Sequence, residues 1–138
     1  MTMKRSLSDA ELTINDINYI NARTTGTEWN DKNKTRAIKE AFGQRAYAIL
    51  VVGNKSSLGH SIAGSRALEL ISCILSLRDP TVPPTINYKV PDLGCGLDYV
   101  LEGKRKLRLQ NVMSNSFACG GSNAVLIMGK HDPNIEKS

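Results

Sequence analysis

No stretch of this chain holds the run of about 18 apolar residues that a membrane-spanning helix needs, which excludes a membrane protein of that kind. Lys4 and Arg5 lie near the start without an apolar segment behind them, so Met1–Ser8 does not read as a secretory leader, and a cytoplasmic location is the expectation. The three cysteines, Cys73, Cys95 and Cys119, are odd in number and show no C-x-x-C spacing. Neither a disulfide framework nor a metal site is therefore expected. There is no internal repeat. Acidic residues are fewer than basic ones, and the formal charge is +5, but the basic residues are scattered. The single cluster, Lys104-Arg105-Lys106-x-Arg108, reads as a solvated loop, and no nucleic-acid partner is expected.

At 138 residues the chain is long enough for one domain with its own core, residues 1–138, ending in a loose polar tail over 131–138. Leu7–Glu11 reads as the last turn of a helix. Asp16–Ala22 reads as a short strand, with Ile17 and Tyr19 on one face and Ile20 and Ala22 near the other. A helix capped by Asn30 or Asp31 runs to Phe42, and Gly43 ends it. Tyr47–Val52 is the continuous apolar, β-branched run of a strand buried on both faces. The helix over 61–78 carries a wide apolar stripe including Ile62, Leu68, Ile71 and Leu75, which predicts that it is largely buried; Cys73 sits on its apolar face. Asp79-Pro80 stops it. Thr81–Gly103 reads as an extended connection without regular structure, and strands at Leu109–Asn115 and Asn123–Lys130 close the chain around a Gly-Gly turn. The order predicts an α/β layered fold.

Between the apolar strand and the long helix stands Lys55-Ser56-Ser57-Leu58-Gly59-His60. It resembles the Lys-Ser-x-x-Gly-His motif of the condensing enzymes, the β-ketoacyl-acyl-carrier-protein synthases of fatty-acid and polyketide assembly. Three more segments occur in that family's order: Asp16–Ala22, then Pro83-Pro84-Thr85-Ile86-Asn87-Tyr88, then Ser114–Ala124 with its Cys119-Gly120-Gly121 turn. The resemblance covers Leu7 to Lys130, the later part of the family's C-terminal half. It implies an incomplete thiolase-like half-fold, a mixed sheet with flanking helices, from which the half's first, central strand is missing. Self-association or a strand from elsewhere is then the expected repair.

The resemblance also implies an acyltransferase chemistry that condenses a cysteine-bound acyl group with a malonyl unit. Lys55 and His60 match the family's lysine and second histidine. Arg23 stands where the first histidine belongs, and an always-protonated guanidinium cannot exchange protons as imidazole does. Thr25 and Thr27 match the threonines that contact the phosphopantetheine arm of an acyl carrier, the substrate arm; no other cofactor is implied. Cys119 replaces the gatekeeping phenylalanine before Gly120 and Gly121. Lys34 occupies the place of a glutamate that pairs with the catalytic lysine, and two adjacent lysines would repel by about 1 kcal/mol or more.

No cysteine here stands in the nucleophile's sequence context. The expectation is a truncated, diverged part of a β-ketoacyl-acyl-carrier-protein synthase that is inactive alone. Its partners would be an acyl carrier protein, a cysteine-bearing ketosynthase half or a second copy. The alternative is a non-catalytic binding or interaction module. Without the family context, Lys55 and His60 would simply be a loop feeding a helix, Gly59 a turn residue, and Gly120 and Gly121 glycines permitting positive φ. Trp29 reads as an exposed aromatic or as a cover of the acyl-carrier channel, with packing the favoured reading.

Overall fold

The computed structural model describes residues 2–22, 26, 28–89, 93–117 and 121–131, with the backbone alone at Glu28 and Leu93. Helix α1 (Thr2–Asp9) precedes the turn expected at Leu7–Glu11, because Met3 and Leu7, one helical turn apart, both enter the core. Positive φ at Glu11 ends the helical path. A capping box follows, in which Asp16 Oδ2 accepts from the Thr13 N–H at 2.7 Å and Thr13 Oγ1 accepts from the Asn15 N–H at 3.3 Å. It turns the chain into strand β1 (Ile17–Asn21).

Helix α2 (Glu28–Phe42) ends at Gly43, whose φ of +56° suits glycine. Gly43–Ala48 then winds as a 3₁₀ helix with Tyr47 in solvent, so strand β2 is only Leu50–Val52, shorter than its apolar run. The motif follows at once as the short helix α3 (Lys55–Leu58). Helix α4 begins at Ser65 rather than 61 and runs to Arg78, because Ile62 takes φ +47° at a 3₁₀ turn that breaks the helical path. The connection beyond it is more ordered than its composition suggests. Strand β3 (Thr81–Val82) pairs antiparallel with β4 (Arg105–Lys106). Arg105 is bonded to both Asp98 and Glu102, so the basic cluster is anchored at its second residue rather than merely solvated. Strands β5 (Asn111–Phe117) and β6 (Asn123–Gly129) form the expected antiparallel pair.

The main sheet has the order β2-β1-β5-β6, with β1 parallel to both β2 and β5. β1 therefore bonds β5 directly, and the sheet has no interior gap. The expected unpaired row is absent for a simple reason: buried backbone N–H and C=O groups must find partners, and the two strands meet to provide them. The first residues form helix α1, not a substitute strand.

Two apolar clusters cover the sheet. On one side Met3 and Leu7 of α1 and Ile38 and Phe42 of α2 pack on Ile17, Ile20, Val51 and Met113. On the other, Cys73 and Leu77 of α4 pack on Tyr19, Leu50, Val52 and Val112. A register shift between Ile17 and Tyr19 explains why Ile17 shares a face with Ile20 and Ala22, not with Tyr19 as strict alternation would have it. Helix α4 also departs from expectation. Its sheet-facing side is Ser65, Glu69, Cys73, Ser76 and Leu77, while Leu68, Ile71, Ile74 and Leu75 are exposed. Trp29 is 82% exposed rather than packed away.

Candidate active site

Lys55 and His60 stand just beyond the carboxyl end of β2, the end at which ligands of parallel α/β sheets are usually held. Three anchors hold the loop there. Asn54, buried, donates through Nδ2 to Ser72 Oγ of α4 at 3.0 Å and to the Tyr19 hydroxyl of β1 at 3.4 Å. The Gly53 N–H donates to Thr85 Oγ1 at 3.1 Å. Ser56 accepts from the Ile86 N–H at 3.0 Å and, through its carbonyl, from Asn87 Nδ2 at 3.2 Å. The Pro83–Tyr88 segment is thus fastened over the Lys-Ser motif, and the second and third sequence motifs become one structure.

Gly59 has φ +76° and ψ 178°, a region open essentially to glycine, and it turns the backbone sharply before His60. The Ile62 N–H donates to His60 Nδ1 at 3.0 Å. That bond fixes the neutral tautomer: Nδ1 accepts, so the proton sits on Nε2, available to donate to a substrate oxygen.

Lys55 and His60 line a cavity of about 520 Å³, together with Lys34 and Thr35 of α2 and Tyr88 and Tyr99 opposite. The Thr35 and Tyr99 hydroxyls are 2.6 Å apart, and Tyr88 stacks on Tyr99 with centroids 6.4 Å apart. Burial raises the Tyr99 hydroxyl above its ordinary pKa, so it is a neutral hydrogen-bonding group. Both lysines open on this space, but each has its own carboxylate. Lys55 is bonded to Glu69 of α4, the two side chains only 7% and 3% exposed, and Lys34 lies 3.5 Å from Asp31. The repulsion expected between Lys34 and Lys55 is therefore answered on both sides.

Glu69 is the functional neighbour that the sequence reading missed. A signal existed: it is the sole acidic residue between Ser61 and Arg78, in a stretch that apart from Arg66 is otherwise apolar or small. A carboxylate in such company must find a cation or a hydrogen-bond donor. Gly121, exposed with φ +81°, is the described residue of the Cys119-Gly120-Gly121 turn. Arg23, Thr25, Thr27, Cys119 and Gly120 lie outside the described residues, as does the tail from 132.

The described cysteines are poor nucleophiles by position. Burial pushes the Cys73 thiol up to about 12, on the far side of the sheet. Cys95 lines the cavity, but its polar neighbour is the Tyr99 hydroxyl, not an imidazole. Among the described residues no cluster could hold a metal ion.

What remains is a lysine–histidine site with a pocket beside it. The model of the family "Beta-ketoacyl synthase, C-terminal domain" matches residues 1–89. The chain belongs to the β-ketoacyl synthase family. It is 44% identical over 124 residues to nodulation protein E of Rhizobium meliloti, covering 90% of this chain and 31% of that protein. It is also 44% identical over 128 residues to 3-oxoacyl-[acyl-carrier-protein] synthase 2 of Coxiella burnetii (strain RSA 493 / Nine Mile phase I), covering 93% and 31%. Among solved structures, a type II polyketide synthase acyl-carrier protein in complex with its ketosynthase superposes with TM-score 0.91 at 32% identity, covering 94% of this chain and 32% of that one. The chain thus spans about a third of the length of these relatives, and over that third it has the ketosynthase fold.

Proposed function

We propose that this chain supplies the lysine–histidine side of a ketosynthase condensing site and does not condense acyl groups by itself. The observation that carries the reading is the joint placement of Lys55 and His60 on one cavity, with His60 Nε2–H free to donate and Lys55 locked by Glu69. In the reaction, the bond from the malonyl α-carbon to its carboxylate breaks and carbon dioxide leaves. The electron pair moves onto the thioester oxygen, where the Nε2–H stabilises it. The resulting enolate carbon attacks an acyl thioester, and the cysteine thiolate that carried it departs. That cysteine is none of the three in this sequence; Cys119 reads as a gate residue. Thr25 and Thr27 would guide the pantetheine arm, and an acyl carrier is the partner, as in the related ketosynthase complex. The setting is cytoplasmic in this reading; among the described residues no helix is long and apolar enough to cross a membrane.

Arg23 favours a second reading. At the first-histidine position that the resemblance implies, it suits a module that holds an acyl carrier without turnover, whereas Lys34 is answered by Asp31 on the same cavity wall and Lys55 keeps its own carboxylate in Glu69. The test is incubation with acyl and malonyl thioesters, followed by mass spectrometry and carbon dioxide measurement, with and without a cysteine-bearing ketosynthase half. No adduct alone and turnover with the added half support the first reading. Carrier binding without turnover in both cases supports the second. A stoichiometric acyl adduct on Cys95 or Cys119 of the isolated chain would sink both.

A further inference from the structure

Helix α3 is a single turn of four residues, and a helix that short does not hold itself in water. Its N-cap, Asn54, gives it no side-chain hydrogen bond, since that amide goes to Ser72 and Tyr19. Yet this turn carries Lys55, whose ammonium has to stay against Glu69 where almost nothing of either side chain meets water. Something outside α3 must fix it. The Pro83–Tyr88 strap does so with three consecutive residues, and their bonds straddle the lysine. Thr85 takes the N–H of Gly53, two residues before Lys55, while Ile86 and Asn87 hold the side chain and the carbonyl of Ser56, one residue after it.

The strap is itself tied down. The Thr85 N–H donates to the Val100 carbonyl at 3.1 Å, and the Asp98 carbonyl accepts from the Val51 N–H of β2 at 2.8 Å. A ring thus closes from β2 through Asp98 and Val100 to Thr85 and back to Gly53. Two residues on this path are left-handed, Asn87 at φ +63° and Val100 at φ +52°. Asparagine takes that region readily, but a β-branched valine does not, so the fully buried Val100 keeps a conformation that the ring has to maintain.

We propose that Thr85 and Asn87 are positioning residues of the lysine–histidine site, acting through the backbone on either side of Lys55 to keep its ammonium seated on Glu69 beside the cavity. Thr85 carries the larger share. Gly53 is buried and its N–H would be left without its acceptor, whereas Asn87 is exposed and its bond is partly replaceable by water. The Thr85 hydroxyl serves here as an acceptor, so serine can stand in for it and valine, of the same shape, cannot. The functional meaning of this clasp rests on the role proposed above for Lys55. The seating of the lysine is read without turnover, so the clasp and that role can fail separately.

Reductive methylation of the lysines of the full chain, followed by peptide mass spectrometry, measures how often Lys55 leaves its seat. Cys73, fully buried under α4 and labelled in parallel with a thiol reagent, reads opening of the core as a whole. Thr85→Val is expected to raise the Lys55 rate at least about 10-fold, the shift in local opening that one lost buried hydrogen bond brings. Cys73 should stay as protected as in the parent, and Thr85→Ser should restore the parent rate at Lys55. A Val variant that labels at the parent rate, or a Ser variant that labels like the Val variant, overturns the proposal. Should Thr85→Val expose Cys73 as well, Asn87→Gly decides, because it keeps the left-handed backbone and removes only the amide. A rise at Lys55 of about 2- to 5-fold with Cys73 protected, the size expected for a bond open to water, supports the clasp. A parent rate at Lys55, or a joint rise of both labels, overturns it.

Discussion

Lys55 and Glu69 can exchange each other for water only by unfolding, since almost nothing of either side chain is exposed. Removing one charge should therefore cost far more than removing both. Glu69→Gln leaves a buried ammonium without its counter-ion and is expected to lower stability by about 3–5 kcal/mol in urea titration. Lys55→Met with Glu69→Leu, which removes the pair together, should come close to the parent. Asp16 gives a second prediction, of the opposite exposure class. Its hydrogen bonds from the Thr13 side chain and backbone hold its pKa below the ordinary value of 3.8. A depressed folded-state pKa means that the unfolded chain takes up the proton first, so this contribution is complete above about pH 4 and is lost as pH falls through the folded value. Melting temperatures of the parent and Asp16→Asn should accordingly differ at pH 6 and converge toward pH 2.

Elements carry the site through their ends rather than their middles. Between β2 and α4 the chain takes two left-handed residues within four positions, Gly59 and Ile62, and His60 hangs between them. Glycine tolerates this at no steric cost, whereas a β-branched isoleucine at φ +47° stores strain. Gly59→Ala is expected to destabilise by about 1–3 kcal/mol and to free the Ile62 N–H from His60 Nδ1. Hydrogen exchange at that amide is the direct readout: faster exchange with the rest of the sheet still protected is the expected pattern, and unchanged protection would mean that Gly59 does not set the direction of His60. The strain at Ile62 sits two residues from His60, whose Nδ1 its N–H contacts, and strained conformations are often retained at sites of function.

At the scale of the whole molecule, the proposed function makes this site one side of a condensing chemistry, with Lys55 and His60 on the cavity and Arg23 and Lys34 as the residues that the resemblance sets against the family pattern. Restoring Arg23→His and Lys34→Glu together should leave the isolated chain without condensation activity, because neither change provides a thiolate and the parts of such a site act as a unit. The same double variant, combined with a cysteine-bearing half, is expected to exceed the parent combination. Product formation by the variant alone, above a no-protein control, would show that one of this chain's own cysteines is the nucleophile. The sheet that carries the site stands without a gap, since β1 pairs with β5, so what the molecule leaves uncovered is a helix face and not a torn sheet.

Much of this was legible in the residues. The strand before the Lys-Ser-x-x-Gly-His segment and the helix after it were legible, so Lys55 and His60 were expected in the connection between them, because a strand end, a glycine and a helix start are local signals that short-range sterics enforce. The family and the α/β class followed from four motifs in order. Long-range partners were not legible. That Glu69 rather than a residue of α2 answers Lys55, that Asp31 answers Lys34, and that β1 closes directly on β5 depend on which surfaces meet in space. The sharpest case is α4. Its apolar stripe is plain in the sequence, and periodicity alone assigns that stripe to the core. The tertiary structure instead spends the inward face on Glu69, Ser72 and Cys73, because the buried lysine and Asn54 of the motif loop need polar partners there, and turns Leu68, Ile71, Ile74 and Leu75 toward solvent. A hydrophobic pattern specifies that a face is to be covered; only the packed structure decides what covers it, because burial is a property of pairs of surfaces and not of one.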